Sequence, residues 1–225
     1  MTKSGFMPMN FFRSQGFKDY KESLRYCLFT TRRPLVGFWD LIHEKRGSMA
    51  AAHTIVAFAV IVEILRLTVT NFQFILIYME AFNMFMVIAQ VILPIFLWSI
   101  ANWSLTTLMD GKGRLAHIYM GTAYAMTPMI IINAALIPIS HVITVDEGAL
   151  YWTAQSIGMF YFVALLMCAM MEIHDYTMAK TILSSILSVV AIGIIILVFV
   201  MFFAVVSDGV AYFVSLAQEL IFRMR

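Results

Sequence analysis

Charge is what this sequence has least of. Asp, Glu, Lys and Arg make up 12% of its 225 residues, against about a quarter in ordinary soluble domains. Hydrophobic types make up 62%, and a soluble globule of this size has no way to hide that much apolar surface. A lipid bilayer does. The same composition excludes a disordered chain, and a net charge of +2 gives no reason to expect nucleic acid as a partner. Cysteine is nearly absent. Cys27 stands in a polar stretch and Cys168 in an apolar one, which excludes a disulfide-stapled module and predicts free thiols. No period-2 alternation occurs, so a membrane barrel is excluded. The first 48 residues hold no short apolar run ending in a small-residue cleavage site. No cleavable signal peptide is therefore expected, and the first apolar stretch takes the targeting role.

What is present is five long apolar stretches. Crossing a hydrocarbon core of roughly 30 Å takes about 20 such residues in a helix, and helix is the form that pairs every backbone group within lipid. The stretches are 49–69, 83–103, 118–138, 150–171 and 182–206. The expected fold is an all-α integral membrane protein. It has a basic amphipathic N-terminal segment, 1–48, a five-helix transmembrane domain, 49–206, and an amphipathic tail, 207–225.

Positive charge orients such a bundle. Residues 1–48 carry nine Lys and Arg, from Lys3, Arg13 and Lys18 to Lys45 and Arg46. Lys112, Arg114 and Lys180 fall on the same side. The opposite loops carry Glu80, Asp146 and Glu147 and no basic residue. The N-terminus is thus expected in the cytoplasm and the C-terminus outside. Asp208-Gly209 is expected to break the fifth span. Val210, Phe213, Val214, Ala217, Leu220 and Ile221 then recur at helical spacing, as in a helix lying on the outer interface. Arg223 and Arg225 would sit outside, against the charge rule. At the other end, Arg32, Arg33, Lys45 and Arg46 suit an anchor on anionic lipid.

The polar residues fall in two places. Glu63 and Arg66, at i, i+3 in the first span, share a helix face and predict an ion pair. Asn102, Asp110, Lys112 and His117, with His174, Asp175, Tyr176 and Lys180, gather on the cytoplasmic side as an inter-helical lock or a recognition surface. Asn102 calls for a cross-helix hydrogen bond, and Gly111 and Gly113 suit positive φ in a tight turn. The Asp-Gly-Lys-Gly run lacks Walker spacing, and no His-Glu-x-x-His pattern occurs. No metal or other cofactor is expected. Pro94 and Pro128 interrupt the second and third spans.

Several of these runs resemble bacterial members of the Yip1 domain family. They are Gly37-Phe38-Trp39-Asp40-Leu41 with His43–Ser48, Leu93–Trp98 with Ala101-Asn102-Trp103 and Thr106–Gly113, and Ile118–Pro128. His174-Asp175-Tyr176 with Lys180-Thr181-Ile182, and Glu219–Arg223, continue the likeness. The resemblance implies five membrane helices, a cytosolic N-terminus and an extracytosolic C-terminus. Eukaryotic relatives serve vesicle traffic with small prenylated GTPases, machinery that bacteria lack. Some bacterial relatives accompany carbohydrate-uptake transporters. The family supplies no catalytic residues.

The expected function is a non-enzymatic scaffold or accessory protein of the bacterial plasma membrane. Its partners would be membrane lipids, another membrane or cytosolic protein on its cytoplasmic face, and a second copy met through small residues such as Gly121, Ala125, Gly158 and Ala164. A small-solute or ion transporter, or a subunit associated with one, is the alternative, motivated by Glu63, Arg66, Asn83, Gln90 and Asn133. A membrane enzyme using His174 and Asp110 is a third reading.

Overall fold

The computed structural model describes residues 9–75 and 83–223, with side chains from Asp19 onward except at Ala217, Leu220 and Ile221. Lys3, Glu80 and Arg225, and the side chains of Arg13 and Lys18, lie outside the described residues. Eight α-helices occur among the latter, and no strand. They are α1 (Met9–Arg32), α2 (Pro34–His43), α3 (Met49–Val69), α4 (Met84–Leu108), α5 (Leu115–Ala125), α6 (Thr127–Ile139), α7 (Gly148–His174) and α8 (Met178–Arg223). Each apolar stretch is helical, and five helical spans are long and apolar enough to cross a membrane. Helices α3, α4, α5 with α6, α7 and α8 run alternately up and down. The loops after α4 and α7 share one end with α1 and α2, the basic end. The turns after α3 and α6 meet at the opposite end, where Asn71 N–H donates to Ser140 Oγ at 3.1 Å and a ring nitrogen of His141 meets the Val69 carbonyl at 2.8 Å.

The third span is two helices because of one proline. Pro128 has no N–H to give the Tyr124 carbonyl, so the ladder breaks. The Thr127 hydroxyl donates to that carbonyl instead, at 2.8 Å, which spares an unpaired acceptor in the apolar interior.

Residues 20–44, expected as part of a separate segment, share the core of the transmembrane helices. Tyr26, Phe38 and Leu41 pack in one cluster with Ile55, Tyr124 and Leu165. The turn between α1 and α2 follows from Pro34, which stands at the start of α2 and turns Arg33 out of helical geometry, at φ −134° and ψ 76°. The two helices cross so closely that a Cβ on Gly37 would meet Thr30 Cα at 2.7 Å. Tyr124 Oη donates to the Ser23 carbonyl at 3.0 Å and Tyr161 Oη to the Thr31 carbonyl at 2.5 Å. Tyr161 stands about 20 Å from the His174 end of α7, at 1.5 Å per residue. The pair α1–α2 is therefore a re-entrant hairpin that enters from the basic end, turns at Arg32-Arg33 and returns. Leu35, Val36 and Trp39, each about half exposed, face outward from α2.

The break expected at Asp208-Gly209 is absent: α8 runs unbroken through 46 residues, about 69 Å. A single glycine inside a helix costs only about 1 kcal/mol relative to alanine, and a Cβ on Gly209 would meet nothing within 4 Å, so no neighbour forces a bend. Among the described residues, α8 touches its own bundle from its start as far as Ile196. Thr181, Ser184, Ser185 and Ser188 are buried there, at i, i+3, i+4, i+7.

Candidate functional site

At the basic end, three polar side chains form a directed chain from a backbone amide to a backbone carbonyl, across three helices and a loop. A backbone N–H can only donate, so the 3.3 Å contact of Gly113 N with His174 Nδ1 makes Nδ1 the acceptor. The ring proton then sits on Nε2, which donates to Asn102 Oδ1 at 3.0 Å. Asn102 Nδ2 donates to Ser188 Oγ at 3.2 Å, and Ser188 passes its own proton to the Ser184 carbonyl at 2.8 Å. Every donor has an acceptor in this sequence, and His174 is held neutral by it. Asn102 and His174 are 0% and 1% exposed. A chain this dry is strong only when complete.

A second ring of contacts closes over the first. Tyr176 Oη and Lys180 Nζ both donate to the Met109 carbonyl, at 2.8 and 2.9 Å. The Lys180 ammonium stands 4.1 Å from the Tyr176 ring centre, and Tyr176 stacks on His174. Lys112 pairs with Asp175 at 2.9 Å in the open, and its ammonium holds that carboxyl below the usual carboxylate range.

The glycines are needed here for room. No glycine among the described residues has positive φ; Lys45, Asp110 and Asp175 do, which corrects the turn geometry expected of Gly111 and Gly113. A Cβ on Gly113 would stand 2.5 Å from His174 Cε1, and one on Gly111 2.8 Å from His174 Nδ1. The loop backbone lies directly against the ring, closer than any side chain permits.

The structure thus brings together Asn102, His174, Tyr176, Lys180, Lys112 and Asp175. It leaves out two of the expected members. Asp110 is exposed, with no hydrogen bond or ion pair to His174 among the described residues. His117 is half-buried apart from the chain. Ser188 was not singled out from the sequence, although its spacing with Thr181, Ser184 and Ser185 marks a polar face in an apolar span. With both ring nitrogens of His174 engaged, the arrangement does the work of a latch. No group of three or more His, Cys, Asp or Glu residues able to hold a metal occurs among the described residues.

Glu63 and Arg66 form a two-pronged ion pair, Arg66 Nη2 to Glu63 Oε1 at 2.6 Å and Arg66 Nε to Glu63 Oε2 at 2.9 Å. Cys27 and Cys168 are unbonded to each other. His53 meets the Tyr119 hydroxyl at 2.9 Å. Three of the small residues expected to serve self-association are turned inward: Gly121 faces Ile173, Gly158 faces Ile132, and Ala125 is fully buried.

No curated protein and no solved structure matches the chain. The model of the Yip1 domain matches residues 30–201, a stretch that begins inside the re-entrant hairpin, takes in the His174 latch and ends within α8. The match and the five apolar helical spans agree on what kind of molecule this is: the chain is a multi-pass membrane protein and belongs to the Yip1 domain family.

Proposed function

We propose that this protein is a non-enzymatic scaffold or accessory protein of a bacterial plasma membrane. Its basic end faces the cytoplasm and engages a partner protein there, and its C-terminus lies outside. The surface that carries this reading is the groove between α1 and α2, a cavity of about 1060 Å³ at the basic end. Six charged side chains line it. Lys21, Arg25 and Arg46 face Glu22, Asp40 and Glu44, a mixed pattern that favours one complementary protein surface over many. The groove is held firmly. Tyr26 Oη donates to Asp40 Oδ2 at 2.7 Å, Ser23 Oγ donates to the Arg46 carbonyl at 2.8 Å, and the Arg46 guanidinium lies over the Tyr26 ring. Burial and the neighbouring Asp40 push the Tyr26 phenol well above its ordinary pKa, so the hydroxyl stays a donor. The latch residues, being internal, rigidify this face rather than contact the partner.

Site-specific photocrosslinking in native membranes tests the reading. Probes at Arg25 and Glu44 are expected to yield a discrete protein adduct that is lost on charge reversal of Lys21 and Arg46. A probe at the outward-facing Leu183 is expected to yield lipid adducts. Lipid adducts alone at the two groove positions would overturn it.

A further inference from the structure

The interior of the bundle holds a second cavity, of about 590 Å³, within the range of roughly 300–1,000 Å³ typical of small-molecule sites. It lies between α3, α4, the third span (Thr122 of α5 and residues of α6) and α7, and on the remaining side only Ile192 and Ile196 of α8 close it. Both stand beyond Ser188, the last buried residue of α8 among the described ones, and Ile196 is 46% exposed, so this wall gives on to the surrounding lipid.

The polar groups of the cavity are ordered by depth. Glu63, Gln90, Asn133 and Gln155 all line it. Each stands six or seven residues from the opposite end of its own helix, about 10 Å below that end. Four helices thus place a polar side chain at one level. Arg66, one turn nearer the end, neutralises Glu63. The layer therefore carries dipoles and no net charge. Toward the basic end the lining becomes apolar, with Ile95, Phe162 and Leu166.

Two polar atoms of the lining are buried with no hydrogen-bond partner among the described residues, Trp98 Nε1 and Gln155 Oε1. One is a pure donor and the other a pure acceptor. Leaving both unpaired in a membrane interior is costly. A molecule that offers an acceptor and a donor removes both costs. Trp98 itself is 9% exposed, so its N–H is shielded from bulk lipid.

We propose that this cavity is a binding site for a membrane amphiphile. Its head carries no net charge and both donates and accepts hydrogen bonds, and its acyl chain lies along Ile95, Phe162 and Leu166. The head sits in the polar layer beside the Glu63–Arg66 pair. The chain reaches the site sideways, past Ile192 and Ile196. A zwitterionic ethanolamine phospholipid has this chemistry: an ammonium to donate, ester and phosphate oxygens to accept, and no net charge. A phospholipid with a net anionic head fits less well, because Glu63 already occupies the Arg66 guanidinium.

Tryptophan quenching in the full chain tests this. Trp39, Trp103 and Trp152 are replaced by Phe, so that Trp98 alone fluoresces, and the protein is reconstituted in phosphatidylcholine vesicles doped with acyl-brominated phosphatidylethanolamine. Trp98 quenching is expected to saturate at low mole fraction of the brominated lipid. The matching protein with only Trp103, a residue 43% exposed, should show quenching that rises with bulk composition. Brominated phosphatidylglycerol should need several-fold more lipid for the same effect, and Gln155→Leu with Asn133→Leu should raise the half-saturation point about 10-fold. Three results would overturn the proposal. They are Trp98 quenching that tracks bulk composition as Trp103 does, preference for phosphatidylglycerol, or stronger quenching by water-soluble acrylamide than by brominated lipid. The last would mark a solute-filled cavity. The single-tryptophan protein decides the matter without the double variant, so a folding defect in the latter does not shield the idea.

Discussion

Replacing His174 with phenylalanine removes the middle of the latch while keeping a ring of similar size. The cavity contribution is therefore small, and the cost comes from the groups left behind. Asn102 Oδ1 loses the Nε2–H donor in a place that is 0% exposed, and the Gly113 amide loses its acceptor in a half-buried one. An unsatisfied buried polar group costs about 1–3 kcal/mol, less where water reaches it. The sum is about 2–4 kcal/mol. In a protein of this size that lowers the midpoint of thermal unfolding by roughly 5–15 °C. Circular dichroism of the protein in nanodiscs reads the midpoint, and His174→Phe, Asn102→Leu and the double variant complete a cycle. Asn102→Leu alone strands the Nε2–H; the double variant strands neither of the two groups that faced each other. Its cost should fall short of the sum of the single ones by about 1–3 kcal/mol. A His174→Phe cost below about 0.5 kcal/mol, or additive costs, would refute the directed chain of hydrogen bonds.

Three further predictions use the same measurement. Gly113→Ala drives a methyl to 2.5 Å from His174 Cε1 and 2.6 Å from Ile173 Cγ2 and should lower the midpoint at least as far as His174→Phe. Gly209→Ala meets nothing and should raise stability by about 0.5–1 kcal/mol, because α8 is helical there. Glu63→Gln leaves the Arg66 charge without its counter-ion inside the bundle and should cost about 2.5–3.5 kcal/mol. Pairing it with Arg66→Met should recover part of that loss, whereas a double variant worse than Glu63→Gln would show that the pair is not what neutralises the arginine.

The spans were legible because the need for 20 apolar residues leaves a long signal: the stretch 49–69 is α3 to the residue. The re-entrant hairpin left a weaker one. Its second helix, Pro34–His43, has only ten residues, too few to read as a crossing, and the charges of α1 suggested a surface position. What holds it down are hydroxyls far along the chain, on Tyr124 and Tyr161, which no local pattern connects to Ser23 and Thr31. The latch was half legible. Asn102 and His174 stand out as costly polar residues at helix ends, but their link to Ser188 depends on how α8 leans on α4. Asp208-Gly209 misled because turn-forming residues matter only where the chain has a reason to turn, and α8 has no neighbour there to supply one. The level shared by Glu63, Gln90, Asn133 and Gln155 appears only once the helix ends are known, since each residue taken alone is an ordinary polar interruption.

The hairpin also fixes an order of events during synthesis. Its residues leave the ribosome before any span does, yet Ser23 waits for Tyr124 and Thr31 for Tyr161, partners 101 and 130 positions later. Until α5 and α7 are in the membrane, α1 and α2 have only α3 to dock on, and the ten residues of α2 are too few to be inserted as a span by themselves. A part of the chain made before every span is thus among the last to reach its place, and a protein truncated before Tyr161 keeps several spans but loses the seat of its hairpin.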